Sequence, residues 1–387
     1  MHLLLITKKK RNFAAIYTSS HCTMNSQLLR EQVIPLLRNE NNLDIVRYYL
    51  SFAIVFVHFA ELTGTANYFP TSNSAVGGFF MLSGFLVFYS YLRSKSLAQY
   101  FRRRAQRILP PYVTIVLLCA LCGVFVTQLS ASEYFTSSQF WQYLAANLTF
   151  ANFLQPSLPG VFQGHTYEAV NGSLWTIKVE VLLYLSVPLA AWLMKRWNRM
   201  YALIFIYLLS YIYKVWMGHM YVETGNIVYH IMQRQVGGQF LFFYSGVAVL
   251  LYFDYFQQHV RWLFPIASVV CIASKFVAWF DAIEPLCMAI VIIGFAYNCR
   301  WFVWMRKYDN ISYGIYLFHY PVIQLVVYWG LPQRSHLMAL VVVIAMTVSL
   351  SLLSWRNARS YRGSGRRPPC PLPAWIRTAY RCRYHSR

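Results

Sequence analysis

The chain has 387 residues and a formal net charge of +22, and 58% of its residues are hydrophobic while only 12% are charged. Soluble domains carry about 25% charged residues, so this composition excludes an ordinary soluble protein. The apolar residues gather in runs of roughly 17 to 22, which is long enough for a helix to cross a hydrocarbon core about 30 Å thick.

These runs predict an all-α fold, a polytopic transmembrane helical bundle with about ten spans. We place the spans near residues 43–62, 75–92, 109–129, 173–194, 200–217, 236–253, 262–280, 284–300, 311–329 and 336–355. Together they make a transmembrane domain over residues 43–355. Residues 1–42 precede it as an N-terminal arm. Residues 356–387 follow it as a basic tail that we expect to be disordered, because it contains nine Arg and no acidic residue.

Basic residues lie in short segments between the runs, which is the positive-inside pattern of membrane proteins and not that of a nucleic-acid-binding protein. The segment after Leu92 is the most basic one and is therefore predicted to be cytoplasmic. With ten spans, both termini then lie inside, and the connections 61–74 and 130–172, which contain no Lys or Arg, lie outside. This arrangement fits a multi-pass membrane protein.

The first predicted span carries Arg47 and, eleven residues later, His58. Eleven helical steps end only about 20° past three full turns, so both residues share a face and are separated by roughly 16 Å along the axis. An arginine at the cytoplasmic rim and an imidazole deeper in the membrane suit an acyl carrier with a phosphate head and a reactive tip. The alternative is structural: Arg47 reaches for the interface and His58 bonds a backbone carbonyl.

Glu180 lies about 10 Å below the outer end of the fourth predicted span, at a depth similar to that of His58. A buried carboxylate without a partner is costly, so the sequence predicts a His58–Glu180 pair. Such a pair would fix the tautomer of a general base and stabilise its charged form. Glu61, one turn after His58, is a rival partner that fits an exposed rim residue better.

Other polar residues in the spans leave two interpretations open. Arg104 and Arg107 are predicted at the inner surface, where they bind phosphate or serve only as positive-inside anchors. The small residues around Ser83 indicate close helix packing, with a contact between Ser83 and substrate as the second interpretation. His319 lies mid-membrane, where we favour a structural role. No metal-ligand cluster, phosphate-binding loop or nucleophile elbow is recognisable, so no bound metal or cofactor is expected.

Six segments in order resemble the membrane-bound acyltransferase family 3, which includes bacterial O-acyltransferases of surface polysaccharides. They are Leu43-Asp44, Arg47-x10-His58, Phe79 to Leu86, Arg104-x-x-Arg107-Ile108-Leu109-Pro110-x-Tyr112, Gly172 to Glu180, and Ile311 to His319. Together they cover about residues 43–355. The resemblance implies transfer of an acyl group, usually acetyl from acetyl-CoA, to a sugar hydroxyl of a lipid-linked or exported glycan. It also implies that Arg47 and His58 lie in the active site.

We therefore expect a multi-pass O-acyltransferase of the bacterial inner membrane that acts on a cell-surface polysaccharide, an exopolysaccharide or its lipid-linked precursor. In this hypothesis His58 is the general base or relays the acyl group, and Glu180 orients it. The arginines Arg47, Arg104 and Arg107 bind the CoA phosphates. Ser83, Trp175 and Tyr184 are the residues expected to contact substrate. Acetyl-CoA serves as co-substrate, and the other partners are the glycan acceptor and the bilayer.

Two alternatives come from other functional classes. A non-enzymatic transporter or flippase of lipid-linked sugars would use the same buried charges as a permeation path. The sequence shows no internal repeat of the kind found in many transporters, which argues against this alternative. An inactive membrane interaction protein is the third possibility.

Overall fold

A computed structural model describes residues 41–67, 72–299 and 301–361. Within these ranges the secondary structure is helical and contains no strand, which confirms the all-α fold. The α-helices are α1 (Leu43–Thr63), α2 (Ser72–Leu92), α3 (Leu97–Cys122), α4 (Ala131–Thr136), α5 (Ser138–Leu148), α6 (Trp175–Arg196), α7 (Arg199–Thr224), α8 (Ile227–Gln233), α9 (Val236–Leu251), α10 (Phe253–Ala273), α11 (Glu284–Asn298), α12 (Ser312–Tyr328), α13 (Leu331–Arg334) and α14 (His336–Tyr361). Short 3-10 helices occur at Gly123–Phe125, Gly172–Leu174, Ala278–Ala282 and Val303–Lys307.

The described residues contain six helices that are long and apolar enough to cross a membrane, and seven if one bent pair counts as a single span. The predicted number of about ten is therefore not confirmed. In the bent pair, α10 turns by 105° from the preceding helices. The remaining predicted spans correspond to α11, with 15 residues, and α12, with 17 residues. Both are shorter than the roughly 20 residues that a helix needs to cross the bilayer.

The predictions for the termini fall mostly outside the described residues. Residues 1–40 of the N-terminal arm and residues 362–387 of the basic tail are not described. Helix α14 ends at Tyr361, so the last helix extends six residues beyond the predicted boundary at 355.

The third predicted span begins earlier than expected. Helix α3 starts after Ser96, whose side chain accepts a 3.1 Å hydrogen bond from the Gln99 backbone N–H. It continues through Pro110 and Pro111, although proline commonly ends or kinks a helix. The prediction of a start near residue 109 is therefore wrong. As a consequence, Arg104 and Arg107 lie on the membrane helix itself and not in the segment before it.

Helices α2 and α9 pack with their backbones in contact. A Cβ atom added to Gly84 would lie 1.9 Å from the carbonyl oxygen of Phe243. In the reciprocal contact, a Cβ atom on Gly246 would lie 2.0 Å from the carbonyl oxygen of Met81. Only glycine permits this approach, which confirms the predicted close-packing role of the segment around Gly84.

Helix α12 packs against α1 although the two helices lie far apart in the sequence. Ser51 of α1 donates a 3.0 Å hydrogen bond to the carbonyl oxygen of Ser312. At its other end, α12 carries the fully buried Gln324, whose amide donates to the carbonyl oxygens of Tyr167 (2.6 Å) and Ala169 (2.9 Å). The contacts of Gln324 place the loop before α6 at the C-terminal end of α12, and we call this end of the bundle the loop end.

Candidate active site

Two histidines meet at the loop end, one from α1 and one from α12. Nδ1 of His58 lies 2.8 Å from Nε2 of His319, and the planes of the two rings differ by only 2°. Nδ1 of His319 in turn lies 2.7 Å from the carbonyl oxygen of Tyr316. His319 is fully buried, so these contacts are shielded from water.

This chain of contacts determines where the protons lie. A carbonyl oxygen only accepts hydrogen bonds, so Nδ1 of His319 must carry a proton. In the neutral ring, Nε2 of His319 is then an acceptor, and Nδ1 of His58 must donate to it. Nε2 of neutral His58 therefore keeps its lone pair. This nitrogen is the one that can act as a general base.

The basic nitrogen of His58 faces a carboxylate. Oε2 of Glu61 lies 4.0 Å from Nε2 of His58, and the Glu61 side chain is 50% exposed, as expected for a rim residue. Arg234 is close enough to interact electrostatically with both of these residues. When His58 gains a proton, Glu61 is positioned to stabilise the resulting charge.

Glu180 belongs to a different cluster. Its carboxylate accepts hydrogen bonds from the Tyr184 hydroxyl and, at 3.3 Å, from the Ser83 hydroxyl. The structure therefore does not form the His58–Glu180 contact that the sequence analysis predicts. Similar depth in the membrane was a poor guide, because α12 lies against α1 and supplies His319 as the partner of His58.

A cavity brings five of the predicted site residues together, namely Arg47, Ser83, Arg107, Glu180 and Tyr184. Its apolar wall includes residues of α2 from Val76 to Val87, which span about 16 Å along the helix axis at 1.5 Å per residue. Tyr316 also lines it, and the ring of Tyr316 lies 5.7 Å from that of His319. The cavity thus extends from two arginines to the residue that bonds the histidine pair.

Charge is concentrated at one end of this cavity, which we call the arginine end. Arg47 forms a 2.8 Å ion pair with Asp44, which also accepts a 2.7 Å hydrogen bond from Asn310. Arg107 forms no hydrogen bond or ion pair with any residue that the structure describes, and it is close enough to Arg47 for electrostatic repulsion. The arginine end therefore offers one guanidinium group, that of Arg107, without an ion-pair partner among the described residues, and such a group favours an anion.

The remaining predicted residues, Arg104 and Trp175, lie outside the cavity wall. Arg104 donates a 3.1 Å hydrogen bond to Ser90 and places its guanidinium 5.7 Å from the ring centre of Tyr184. Arg104 therefore supports the wall rather than facing the cavity. Trp175 lies at the loop end, where its ring centre is 5.5 Å from the guanidinium of Arg234.

In the part of the chain that the structure describes, no three His, Cys, Asp or Glu residues lie close enough to bind a metal ion. The cysteines Cys119 and Cys122, which form a CxxC pattern, are free thiols, the first buried and the second exposed. The chemistry available here is therefore that of the histidine pair, the carboxylates and the arginines.

Comparison with known proteins shows the family to which this chain belongs. A family model described as "Acyltransferase domain" matches residues 40–356. The chain belongs to this acyltransferase family. It is 26% identical over 350 residues, 82% of this chain and 91% of the relative, to "Nodulation protein 10" of Rhizobium leguminosarum bv. viciae. It is 25% identical over 161 residues, 40% of this chain and 46% of the relative, to the "O-acetyl transferase" of Shigella phage Sf6. No solved structure matches it significantly.

The family match and the apolar helices together make this chain a multi-pass membrane acyltransferase, and they confirm the resemblance drawn from its motifs. Two residues of the site were missed. A signal for His319 was available in the sequence. It ends one of the matching motifs, and an ionisable residue within a membrane helix is a functional candidate by default. Arg234 lies between two apolar segments, and no pattern in the sequence connects it with His58.

Proposed function

We propose that this acyltransferase moves an acetyl group from acetyl-CoA to a sugar hydroxyl of a cell-surface polysaccharide, an exopolysaccharide or its lipid-linked precursor. The observation that carries the proposal is the series of hydrogen bonds from the Tyr316 carbonyl through His319 to His58, which leaves Nε2 of His58 as a basic nitrogen at the loop end. In the proposed orientation the loop end faces outward from the bacterial inner membrane, and the arginine end faces the cytoplasm.

The arginine end suits the head of acetyl-CoA. Arg107 has no partner among the described residues, and Arg47 lies beside it, so CoA phosphates would relieve their mutual repulsion. Arg104 supports this region through Ser90 and Tyr184. The apolar cavity wall of about 16 Å along α2 suits the uncharged pantetheine arm, which would carry the thioester towards the histidine pair.

The proposed reaction starts with the acceptor hydroxyl at Nε2 of His58. As Nε2 takes the proton, the hydroxyl oxygen attacks the thioester carbonyl carbon. The carbon–sulfur bond then breaks, and the proton on Nε2 passes to the sulfur of the leaving CoA. His319 keeps Nδ1 of His58 as a donor throughout, and Glu61 stabilises the imidazolium. General-base catalysis of this kind is worth about 10²- to 10⁴-fold in rate.

Glu180 has a different proposed role from the one expected. Its carboxylate is held by Tyr184 and Ser83 and faces the same cavity as Arg47 and Arg107. We assign it to the donor cavity, where it limits the excess positive charge and orients the two arginines. Ser83 and Tyr184 act with it in lining the path of the donor.

The test is transfer of radiolabel from acetyl-CoA by the purified protein in lipid nanodiscs supplied with glycosides. Wild type is expected to release CoA and to label a glycoside. His58→Ala is expected to lose this activity, whereas His219→Ala, which changes a histidine that is 67% exposed, should retain it. A transporter of lipid-linked sugars would leave the thioester intact, and that result would refute the proposal.

A further inference from the structure

Three side chains are linked in sequence from the basic nitrogen of His58 at the loop end: Glu61, Arg234 and Trp175. Oε2 of Glu61 is 4.0 Å from Nε2 of His58. The guanidinium of Arg234 lies 5.5 Å from the ring centre of Trp175 and interacts electrostatically with both Glu61 and His58. They come from α1, from the turn between α8 and α9, and from the first residue of α6. We call them the loop-end cluster.

The backbone holds Arg234 firmly. Its N–H donates a 3.2 Å hydrogen bond to the carbonyl oxygen of Ile231, and its own carbonyl oxygen accepts a 3.1 Å bond from the amide of Gln239. Gln239 is buried, so this support is shielded from solvent. The guanidinium also lies over the ring of Trp175, in a cation–π contact that adds to this support.

Trp175 is held equally firmly. It begins α6 directly after the 3-10 helix Gly172–Leu174, and a Cβ atom on Gly172 would lie 2.7 Å from the ring of Tyr320. The preceding Asn171 donates a 3.0 Å hydrogen bond to the carbonyl oxygen of Leu317. Trp175 and the histidine pair are therefore positioned by the same helix, α12.

The distances fit a hydroxyl group. A hydroxyl has one proton, which it can donate to Nε2 of His58 at about 2.8 Å. Glu61 only accepts hydrogen bonds, and its carboxylate oxygen lies 4.0 Å from Nε2, so it is placed to accept from a second hydroxyl of the same ring. Arg234, which interacts electrostatically with Glu61, carries only N–H donors and can donate to the oxygen of that second hydroxyl.

The charges indicate what kind of sugar this is. An arginine that is not neutralised selects an anion, such as the carboxylate of a uronic acid. Here the carboxylate of Glu61 interacts with Arg234, so the loop-end cluster has no net charge when His58 is neutral. An incoming carboxylate would be repelled by Glu61, and like charges placed side by side in a binding site suppress binding of the wrong partner.

We propose that Glu61, Arg234 and Trp175 form the acceptor subsite, and that this subsite takes an uncharged sugar ring. Glu61 and Arg234 hold one hydroxyl so that another hydroxyl of the same ring reaches His58, and Trp175 orients Arg234. The inference rests on the proposed function, because it takes His58 as the base for a sugar hydroxyl.

The experiment compares matched acceptors. Nanodisc-embedded protein receives radiolabelled acetyl-CoA with methyl glucoside or methyl glucuronoside, and in parallel with methyl galactoside or methyl galacturonoside. Wild type should acetylate the neutral member of each pair at least about tenfold faster. Glu61→Gln removes the negative charge beside Arg234 and should lower that ratio about tenfold, while Arg234→Gln should raise it. Glu223→Gln, a change of an exposed carboxylate elsewhere, should leave the ratio unchanged.

The ratio is measured within each variant, so a general loss of activity does not affect it. Equal rates with neutral and acidic glycosides in wild type, or a Glu61→Gln ratio equal to that of wild type, would overturn the inference while the proposed function stands. Release of CoA without label on any glycoside would show that a sugar is not the acceptor, and the proposed acceptor subsite would then be wrong. An intact thioester would refute the proposed function itself.

Discussion

The histidine pair makes a quantitative prediction for His319→Ala. Removing His319 takes away the acceptor for Nδ1 of His58, a contact of 2.8 Å. A hydrogen bond to a charged group is worth about 1.5–3 kcal/mol, and each 1.36 kcal/mol corresponds to a factor of ten in rate. We therefore expect kcat to fall by roughly 10- to 150-fold at saturating acetyl-CoA. The KM for acetyl-CoA should change little, because the donor binds at the other end of the cavity.

Double variants separate the two clusters of the site. His58→Ala alone should cost about 10²- to 10⁴-fold, and His58→Ala with His319→Ala should be scarcely worse, because His319 acts only through His58. Glu180→Gln lies in a cluster that shares no hydrogen bond with His319, so its effect should multiply with that of His319→Ala. If Glu180 paired directly with His58, both Glu180 and His319 would act through His58. The losses of Glu180→Gln and His319→Ala would then be less than multiplicative.

The assay is release of CoA and transfer of label by protein in nanodiscs, with thermal unfolding measured for each variant. His319→Gln is the matched rescue variant, because its side-chain oxygen can still accept from Nδ1 of His58. It should retain more activity than His319→Ala at similar thermal stability. Fully multiplicative losses in the double variant of His58 and His319, or no rescue by His319→Gln, would refute the relay.

Three further predictions concern the donor site, the packing and the orientation. Arg107→Ala should raise the KM for acetyl-CoA about tenfold with little change in kcat, because a charge-assisted phosphate contact is lost; an unchanged KM would remove Arg107 from the donor site. Gly84→Ala should destabilise the protein by about 1–3 kcal/mol or more, because its methyl group would collide with the carbonyl oxygen of Phe243, and a wild-type unfolding temperature would contradict this packing. A reporter fused after Tyr91 should be cytoplasmic and one at Gln155 periplasmic; reversed signals would exclude cytoplasmic acetyl-CoA as the donor at the arginine end.

Much of the fold could be predicted from hydropathy alone, because a helix is the simplest way to satisfy backbone groups in lipid. The apolar runs correctly predicted α1, α2, α6 and α7. Span number was less predictable, since an apolar run of 15 residues, such as α11, looks like a span until its ends are known. The start of α3 was missed because the apolar run begins only near residue 109, whereas the helix begins at Leu97 and passes through Pro110.

The site was partly predictable for a related reason. Periodicity along one helix placed Arg47 and His58 on a common face, and depth placed Glu180 at a similar level. Neither argument predicts which helices lie next to each other. The partner of His58 is 261 residues away in the sequence, on α12. Arg234 shows the same limit, because its position beside Trp175 depends on a turn between two helices.

The most direct test of the central claim is a cryo-EM structure with a non-hydrolysable thioether analogue of acetyl-CoA. We predict that its phosphates contact Arg107 and Arg47 at the arginine end. Its acyl carbonyl should reach the loop end of the cavity beside Tyr316, within reach of a hydroxyl bound at Nε2 of His58. Phosphates bound instead at the loop end, near Arg234, would contradict the assignment of the two ends and the direction of transfer.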